Sequence, residues 1–374
     1  MKPIRISTIG KIVWLFIFCT ILVIIALIVS SLKKEENNLP ITPVSGDEKK
    51  VIDYTSSKSS EIDFSKYNSE ETIIELNESK TYTITGENSK YSFVVNAPNK
   101  VVKINLKDFS TNQVDDLFDF QAANKIIIEL TNENKIEFIP SSDDLEYKNT
   151  NIINSKVDID IMGKGTLNVN TNNNFISSDA NVSIKDATIN IIKTNHAFKG
   201  KNIEISSGLI YLKSNSIGIE SNGNFYIQDG KTILISENEE SFKAKGIFLL
   251  NGGEVFFASL KEQQKPNANS TAKTTIFNFS ESTNKILTLQ DTEKIVFIYD
   301  GITPYQHILY SNSALKNKDY VLYGGGRTVG QAKYSFYDPT DYFEDIQYTC
   351  EEWENDNFQF DKQLNVFDDI VKKW

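Results

Sequence analysis

The chain has 374 residues, with 50 acidic and 39 basic side chains, and its formal net charge is −11. This charge disfavours nucleic acid as a partner, because phosphate groups require a basic binding face. Two arginines and two histidines leave little for a histidine-rich metal site or an arginine clamp on phosphate. The two cysteines, Cys19 and Cys350, lie at opposite ends of the chain, so no disulfide framework is expected.

Residues 12–32 are predicted to form one transmembrane signal anchor. The segment 12–29 carries no charged side chain, and with its extension to Leu32 it reaches the roughly 20 residues that span a bilayer. Basic residues within 1–11 precede it, so the positive-inside rule predicts a cytoplasmic N-terminus and an extracellular C-terminal part. A cleaved signal peptide is the alternative, but the apolar stretch is longer than is typical of one. The expected location is therefore the cell membrane, with a single pass and the membrane as one partner.

Residues 33–70 are polar and charged, as in a linker, and short β-branched runs begin at residue 71. Between 71 and 262 these runs recur, with triplets that start at residues 182, 203, 225 and 247. Each is followed by a turn with a small residue, a second triplet and a third short apolar element. A period of this size with three short strands is typical of a β-solenoid.

The middle residue of each triplet is expected to point outward, because side chains alternate along a strand. The first predicted column is Asp160, Ser183, Glu204, Tyr226 and Phe248, and the second is Asn168, Asn190, Tyr211, Leu234 and Phe256. An exposed aromatic row could stack on the apolar faces of sugar rings, so Tyr211, Tyr226, Phe248 and Phe256 are the predicted ligand-binding residues. The alternative is that C-terminal residues cover these aromatic side chains as interface core.

The ordered series of motifs resembles a family of bacterial surface proteins with a carbohydrate-binding domain. The opening coils at 80–86, 101–106 and 125–130, the repeat motif at 250–255 and the glycine-containing strand at 320–326 carry the resemblance. What this resemblance implies is an all-β, right-handed parallel β-helix that is related in shape to pectate lyases. It also implies display outside the cell, binding of a plant or bacterial cell-wall type of polysaccharide, and calcium as a candidate cofactor.

The resemblance also points to candidate metal ligands in the turns. Positions where the family carries a calcium-binding aspartate are here mostly uncharged, and Glu240 keeps a carboxylate, with Glu239 beside it. Asp115 and Asp116 match another turn of the family. Calcium takes six to eight oxygen ligands, so these four residues would need further partners from elsewhere.

Residues 274–334 alternate in polarity and are predicted to form a small β module that caps the solenoid, because an open end would expose unpaired strand edges. Residues 335–374 are acidic and aromatic, and their last positions are spaced like one face of a short helix.

These features favour a cell-surface-anchored, non-catalytic protein that binds polysaccharide. The negative net charge makes a neutral glycan the simpler ligand. One alternative is a calcium-dependent polyuronate lyase, with Lys185, Lys199, Lys213 or Lys243 as the base. Another is a structural or adhesive surface protein with a protein partner.

Overall fold

The structure, a computed structural model, describes β-rich parts of the chain. The described residues are 41–42, 50–53, 61–64, 72–88, 90–138, 149–291, 294–313, 315, 320–328, 330–338, 342–347 and 352–354. The predicted anchor at 12–32 and the predicted terminal helix lie outside them. Within these ranges no helix is long and apolar enough to cross a membrane. The chain divides into two compact units, Met1–Thr42, which holds the short strand Ile41–Thr42, and Pro43–Trp374, which holds the solenoid.

The second unit is built mainly from parallel strands that stack coil upon coil in three rows. The first row contains Lys50–Asp53, Thr72–Glu75, Tyr91–Asn96, Phe118–Ala122, Asn151–Ser155, Asn174–Ser178, Phe198–Gly200, Ile219–Ser221 and Phe242–Ala244. The second row contains Lys125–Thr131, Ile159–Met162, Val182–Lys185, Ile203–Ile205, Phe225–Ile227 and Phe248–Leu250. The third row contains Glu133–Glu137, Thr166–Asn170, Ala187–Lys193, Gly208–Ser214, Lys231–Ser236 and Glu254–Ser259.

The second and third rows begin as one row of strands. This row is Glu61–Asp63, Thr81–Asn88 and Val101–Thr111. The strand Val101–Thr111 pairs with both Lys125–Thr131 and Glu133–Glu137, so the two rows separate at this point. The described residues thus form a β-solenoid of about eight turns, which confirms the all-β prediction.

A turn between the second and third rows requires glycine. Gly208 has a φ of +106°, and a Cβ atom there would lie 2.3 Å from the carbonyl oxygen of Ala187 in the neighbouring coil. The backbones of successive coils can approach this closely only because this position has no side chain.

The registers of two triplets differ from those predicted. Phe225 pairs with Phe248, and the intervals between coils lengthen from 21 to 22 to 23 residues instead of staying at 22. Because a shift of one residue reverses the side on which a side chain lies, Phe248 points into the solenoid, where it is 1% exposed. Its ring lies 5.2 Å from that of Phe225 and 4.4 Å from that of Phe242, centroid to centroid. The second difference is at Leu234, which was predicted to follow Tyr211 in the outward column. Tyr211 instead pairs with Ile233, so Ile233 points outward and Leu234 points inward.

The C-terminal strands continue the third row and then form a separate sheet. Tyr305–Asn312 pairs antiparallel with Glu254–Ser259 and with Thr274–Thr283. The separate four-stranded sheet, here called the cap sheet, contains Leu287–Asp291, Ile295–Tyr299, Tyr320–Thr328 and Tyr342–Gln347. A further strand, Glu352–Glu354, pairs with Thr274–Thr283. Strands therefore continue beyond residue 334, into the segment predicted to be a separate tail.

The last coil of the solenoid is covered by the segment 263–273. The side-chain oxygen of Gln264 accepts a hydrogen bond from the Ala244 amide at 3.0 Å. The Ser270 hydroxyl accepts one from the Leu250 amide at 3.0 Å, and the Ala272 amide donates to the Leu250 carbonyl at 3.0 Å. These bonds satisfy backbone groups that would otherwise form an open sheet edge.

Candidate functional site

The outward face of the third row carries a column of side chains with one position on each coil. In register order this central column is Lys135, Asn168, Asn190, Tyr211, Ile233 and Phe256. Neighbouring members lie about 4.8 Å apart along the solenoid, the spacing between hydrogen-bonded strands. The column therefore forms a strip that runs parallel to the solenoid axis.

Exposure decreases along the central column from Lys135 to Phe256. Lys135 is exposed, Asn168 and Asn190 are half-buried, and Tyr211 is 8% exposed. Ile233 and Phe256 are 1% exposed. The cap sheet and the residues next to it cause this change, because they lie over the last coils.

Phe256 shows how the C-terminal residues cover the column. Its ring centroid lies 4.8 Å from that of Tyr299, 4.9 Å from that of Phe336 and 5.4 Å from that of Phe297. Phe256 thus points away from the solenoid core and forms interface core, as the alternative interpretation of the sequence predicts. An exposed aromatic surface does not form at this position.

A groove follows the column up to the point where it becomes covered. Its larger part, here called the inner cleft, has a volume of about 650 Å³ and lies between the solenoid and the segments 300–303 and 330–337. Its floor is Asn190, Ile192, Tyr211 and Lys213. A smaller part of about 290 Å³, here called the outer part, shares Asn190 and Ile192 and continues toward Asn168, Lys135 and Glu133.

The floor and wall of the inner cleft are joined at Tyr211. Its hydroxyl forms a hydrogen bond with the Ser335 hydroxyl at 2.9 Å, and its ring centroid lies 5.5 Å from that of Tyr334. Burial raises the pKa of Tyr211 above its ordinary value, so the phenol stays protonated at neutral pH. Because its hydroxyl and its ring both contact the wall, the Tyr211 side chain is a fixed part of the floor.

Tyr334 and Ser335 occupy a tight two-residue turn. Two backbone hydrogen bonds between Lys333 and Phe336, of 2.8 and 3.1 Å, close this turn, and its central residues have φ values of +53° and +64°. Turns with two positive φ values usually contain asparagine or glycine. The bulkier residues here carry backbone strain, and such strain concentrates at ligand-binding sites.

Asp300 provides a carboxylate beside this turn. It is 9% exposed, its Oδ1 accepts a hydrogen bond from the Ile302 amide at 3.0 Å, and its own amide donates to the Ser335 carbonyl at 2.9 Å. Burial raises the pKa of Asp300 above its ordinary value, because the charged form loses contact with water. Lys213 also lines the cleft and forms an ion pair of 3.2 Å with Glu237.

The outer part of the groove is lined by amides and ion-paired side chains. Asn190 donates to the Asn168 side-chain oxygen at 2.9 Å, and Asn168 donates to Glu133 at 3.0 Å. Lys135 forms an ion pair with Glu137. The Oδ1 atom of Asn190 is buried and accepts no hydrogen bond from the described residues. The accessible polar groups of Lys135, Glu133 and Asn168 can donate to or accept from hydroxyl groups.

The four predicted ligand-binding residues lie in different places. Tyr211 lies in the floor of the inner cleft, and Phe256 lies under the cap sheet. Tyr226 is half-buried on the second row, where it accepts a hydrogen bond from the Asn224 amide group at 2.5 Å. Phe248 lies inside the solenoid, which corrects its predicted outward position. The structure therefore does not bring these four residues together.

The predicted metal ligands are also dispersed, and hydrogen bonds or an ion pair already engage three of them. Asp115 accepts from Thr150 at 2.6 Å and from the Asn173 side chain at 2.5 Å, and Asp116 accepts from Asn154 at 2.7 Å. Glu239 forms an ion pair with Lys261. In the parts of the chain that the structure describes, no group of three or more histidine, cysteine, aspartate or glutamate side chains could hold a metal ion. Asp115, Asp116, Glu239 and Glu240 thus do not fit the calcium site that the resemblance implies.

Several residues of the inner cleft were not among the predicted site residues. These are Asp300, Tyr334, Ser335 and Tyr337. They lie more than a hundred residues from Asn168 in sequence, and their segments show no repeat. The acidic and aromatic composition of residues 335–374 was the nearest sequence signal, and it did not indicate a ligand site.

Comparison with protein families identifies the type of domain. Residues 70–318 match the model of a family described as carbohydrate-binding domain-containing proteins, and this match covers most of the chain. The chain belongs to this family. Comparisons with curated proteins and with solved structures found no match. Membership of the carbohydrate-binding family confirms the resemblance seen in the sequence and indicates a carbohydrate partner.

Proposed function

We propose that the protein binds a polysaccharide in the groove along the third row, with the inner cleft as its principal contact. The observation that carries the proposal is the composition of this cleft. It combines tyrosine rings with amide, carboxylate and ammonium groups in one concave surface. Ligand sites typically pair apolar contact area with a few polar groups that fix orientation. Most of the groove also lies within the segment that matches the carbohydrate-binding family.

The chemistry of the groove suits a neutral glycan. Tyr337 and Tyr334 are half-buried and can each offer part of a ring to the apolar face of a sugar. Asn168, Asn190 and Asp300 can form hydrogen bonds with sugar hydroxyls. Of the three lysines that line the groove, Lys213 and Lys135 are paired with glutamates, and Lys333 lies over the Tyr334 ring, 5.4 Å from its centroid.

Binding without cleavage is part of the proposal. Asp300 contributes the carboxylate of the inner cleft, while Glu133 and Glu137 of the outer part are engaged by Asn168 and Lys135. Hydrolysis usually requires two carboxyl groups on opposite sides of one glycosidic bond. Lyase chemistry requires a base together with a cation that stabilises the developing charge.

Affinity electrophoresis of the full-length chain tests this proposal. Gels that contain hydroxyethylcellulose, xylan, glucomannan or polygalacturonate are run with calcium and with a chelator, and unsaturated products are followed by absorbance. We expect retardation on a neutral polymer without product, and Tyr337→Ala should weaken it about tenfold. Tyr226→Ala is the matched control, because this half-buried tyrosine lies on the second row. Retardation on no polymer would refute the proposal, and product that disappears with the chelator would establish a lyase.

We also propose that the binding part is exported and stays attached to the cell membrane. Support comes from the charge-free segment 12–29, the basic residues before it and the polar segment 33–70 after it. Protease treatment of intact cells should remove the solenoid and leave a short membrane-bound fragment. Protection of the whole chain until the cells are lysed would contradict this orientation.

A further inference from the structure

The groove differs at its two ends, and this difference bears on how a glycan enters it. At the end nearer to Lys135 the described side chains leave the central column open, and Glu133 and Lys135 are both exposed. Asn168 and Asn190 follow as half-buried amides. A glycan that lies along the column would therefore meet no obstruction from these side chains at this end.

At the other end the floor passes under the C-terminal residues. The next member of the central column, Ile233, is 1% exposed, and so is Ile235, which follows Lys213 in the parallel column beside it. Both isoleucines belong to the apolar cluster that includes Phe297 and Tyr299. A sugar ring cannot continue past Tyr211 without displacing this cluster.

The wall that ends the groove is attached to the floor. Ser335 bonds to the Tyr211 hydroxyl at 2.9 Å through its side chain, and it accepts from the Asp300 amide at 2.9 Å through its carbonyl. The Tyr337 amide donates to the Ile298 carbonyl at 3.0 Å, which fixes the following residues to the cap sheet. The wall is thus held at three points, and polar groups of Asp300 and Ser335 lie at the end of the groove.

We infer that the groove recognises the end of a glycan chain, so that a terminal sugar occupies the inner cleft and the rest of the chain runs out over Asn168 and Lys135. This inference rests on the proposed function. Its basis is that, among the residues that the structure describes, the floor is open on one side and covered on the other. The spacing of about 4.8 Å between coils is close to the length of one pyranose ring along an extended chain. Each further sugar would therefore lie over about one further coil.

The test uses a neutral polymer that retards the full-length chain in the affinity gels. The polymer is cut by partial acid hydrolysis to about one tenth of its mean length, and both preparations compete for binding at equal mass. Chain-end recognition predicts that the fragments inhibit about tenfold better, because the number of ends per gram rises by that factor. Equal inhibition per gram would show binding along the chain and would overturn the inference. Since the polymer is already known to bind, that result would leave the proposed function intact.

Two further experiments ask which end of the glycan is recognised and whether the inner cleft holds it. Reduction of the fragments with borohydride opens the sugar ring at the reducing end only. Loss of inhibition would place the reducing end in the inner cleft, and unchanged inhibition would place the non-reducing end there.

Ala332→Trp should fill the inner cleft and abolish binding of every fragment, while Ile247→Trp, outside the groove, should not. Undiminished binding by a folded Ala332→Trp protein would contradict the inference.

Discussion

The two halves of the central column on the third row occupy equivalent positions in the repeat, yet they have different roles. In the first half, Lys135, Asn168 and Asn190 are polar and accessible, whereas Ile233 and Phe256 in the second half are buried under C-terminal residues. Both halves point away from the solenoid core. The difference shows that the repeat determines only the direction of a side chain. Whether that side chain meets solvent, ligand or protein depends on the C-terminal module.

The largest expected effect is the loss of stability when an aromatic side chain inside the solenoid is truncated. It is compared with truncation of an aromatic side chain beneath the cap sheet. Phe248→Ala should destabilise the solenoid by about 3–5 kcal/mol, because it leaves a cavity among Phe225, Phe242 and Phe257. Phe256→Ala should instead weaken the contact with the cap sheet. Hydrogen exchange measures the difference.

For Phe256→Ala, faster exchange should be concentrated at Leu287–Asp291 and Ile295–Tyr299. For Phe248→Ala it should extend through the coils. Val101→Ala is the control, because this side chain is 42% exposed and its truncation should change stability by less than about 0.5 kcal/mol. Identical exchange patterns for the two phenylalanine variants would contradict the distinction between core and interface.

A second prediction concerns the close approach of successive coils. Gly208→Ala should cost about 2 kcal/mol or more, because its φ of +106° is unfavourable for alanine and its Cβ would meet the Ala187 carbonyl. Urea unfolding measures this cost. A variant as stable as the parent would show that the coils can separate easily at this turn.

A smaller effect is expected where the groove floor joins its wall. Tyr211→Phe removes the hydroxyl bonded to Ser335 and should cost about 1 kcal/mol. Ser335→Ala should cost no more than Tyr211→Phe, and the double variant should cost less than the sum of the two. Additive costs in this double-mutant cycle would mean that the two hydroxyls do not interact.

The smallest expected effect is the pH dependence that arises from Asp300. Its pKa in the folded protein is raised by burial, so the folded state holds a proton more tightly than the unfolded state. This contribution favours folding below the unfolded pKa and is lost as the pH rises through the folded pKa. Asp300→Asn should therefore gain stability relative to the parent as the pH rises from about 4 toward neutral. Thermal unfolding at several pH values measures this, and a constant difference between the two proteins would contradict it.

The sequence allowed the solenoid and the carbohydrate-binding family to be predicted, because both depend on patterns that recur along the chain. The registers of Phe248 and Leu234 were each wrong by one residue. The last interval in the second row is 23 residues where 22 was predicted, and the interval after Tyr211 is 22 where 23 was predicted. The sequence alone does not show which coil holds the extra residue. The right-handed sense of the β-helix, the membrane anchor and the absence of a nucleic-acid partner stay predictions.

The inner cleft could not be predicted in the same way. Tyr211 and Ser335 are 124 residues apart, and no pattern in either segment indicates their contact. The covering of Phe256 was foreseen as an alternative, because apolar side chains in the outward column become more frequent toward the C-terminal end. What the sequence lacks is the position of the cap sheet over the last coils, and this position creates the wall of the groove.

Tyr305–Asn312 pairs antiparallel with the last coil. As a result, the length of the groove floor and the structure of its wall could change independently in evolution or protein design. Because the array ends in an antiparallel strand at this end, a repeat duplicated on the open side of Tyr211 would be accommodated between existing coils. Such an insertion would lengthen the floor by one step and leave the wall unaltered. The number of repeats would then set how many sugar units are contacted, while substitutions in the C-terminal module would set which terminal unit is accepted.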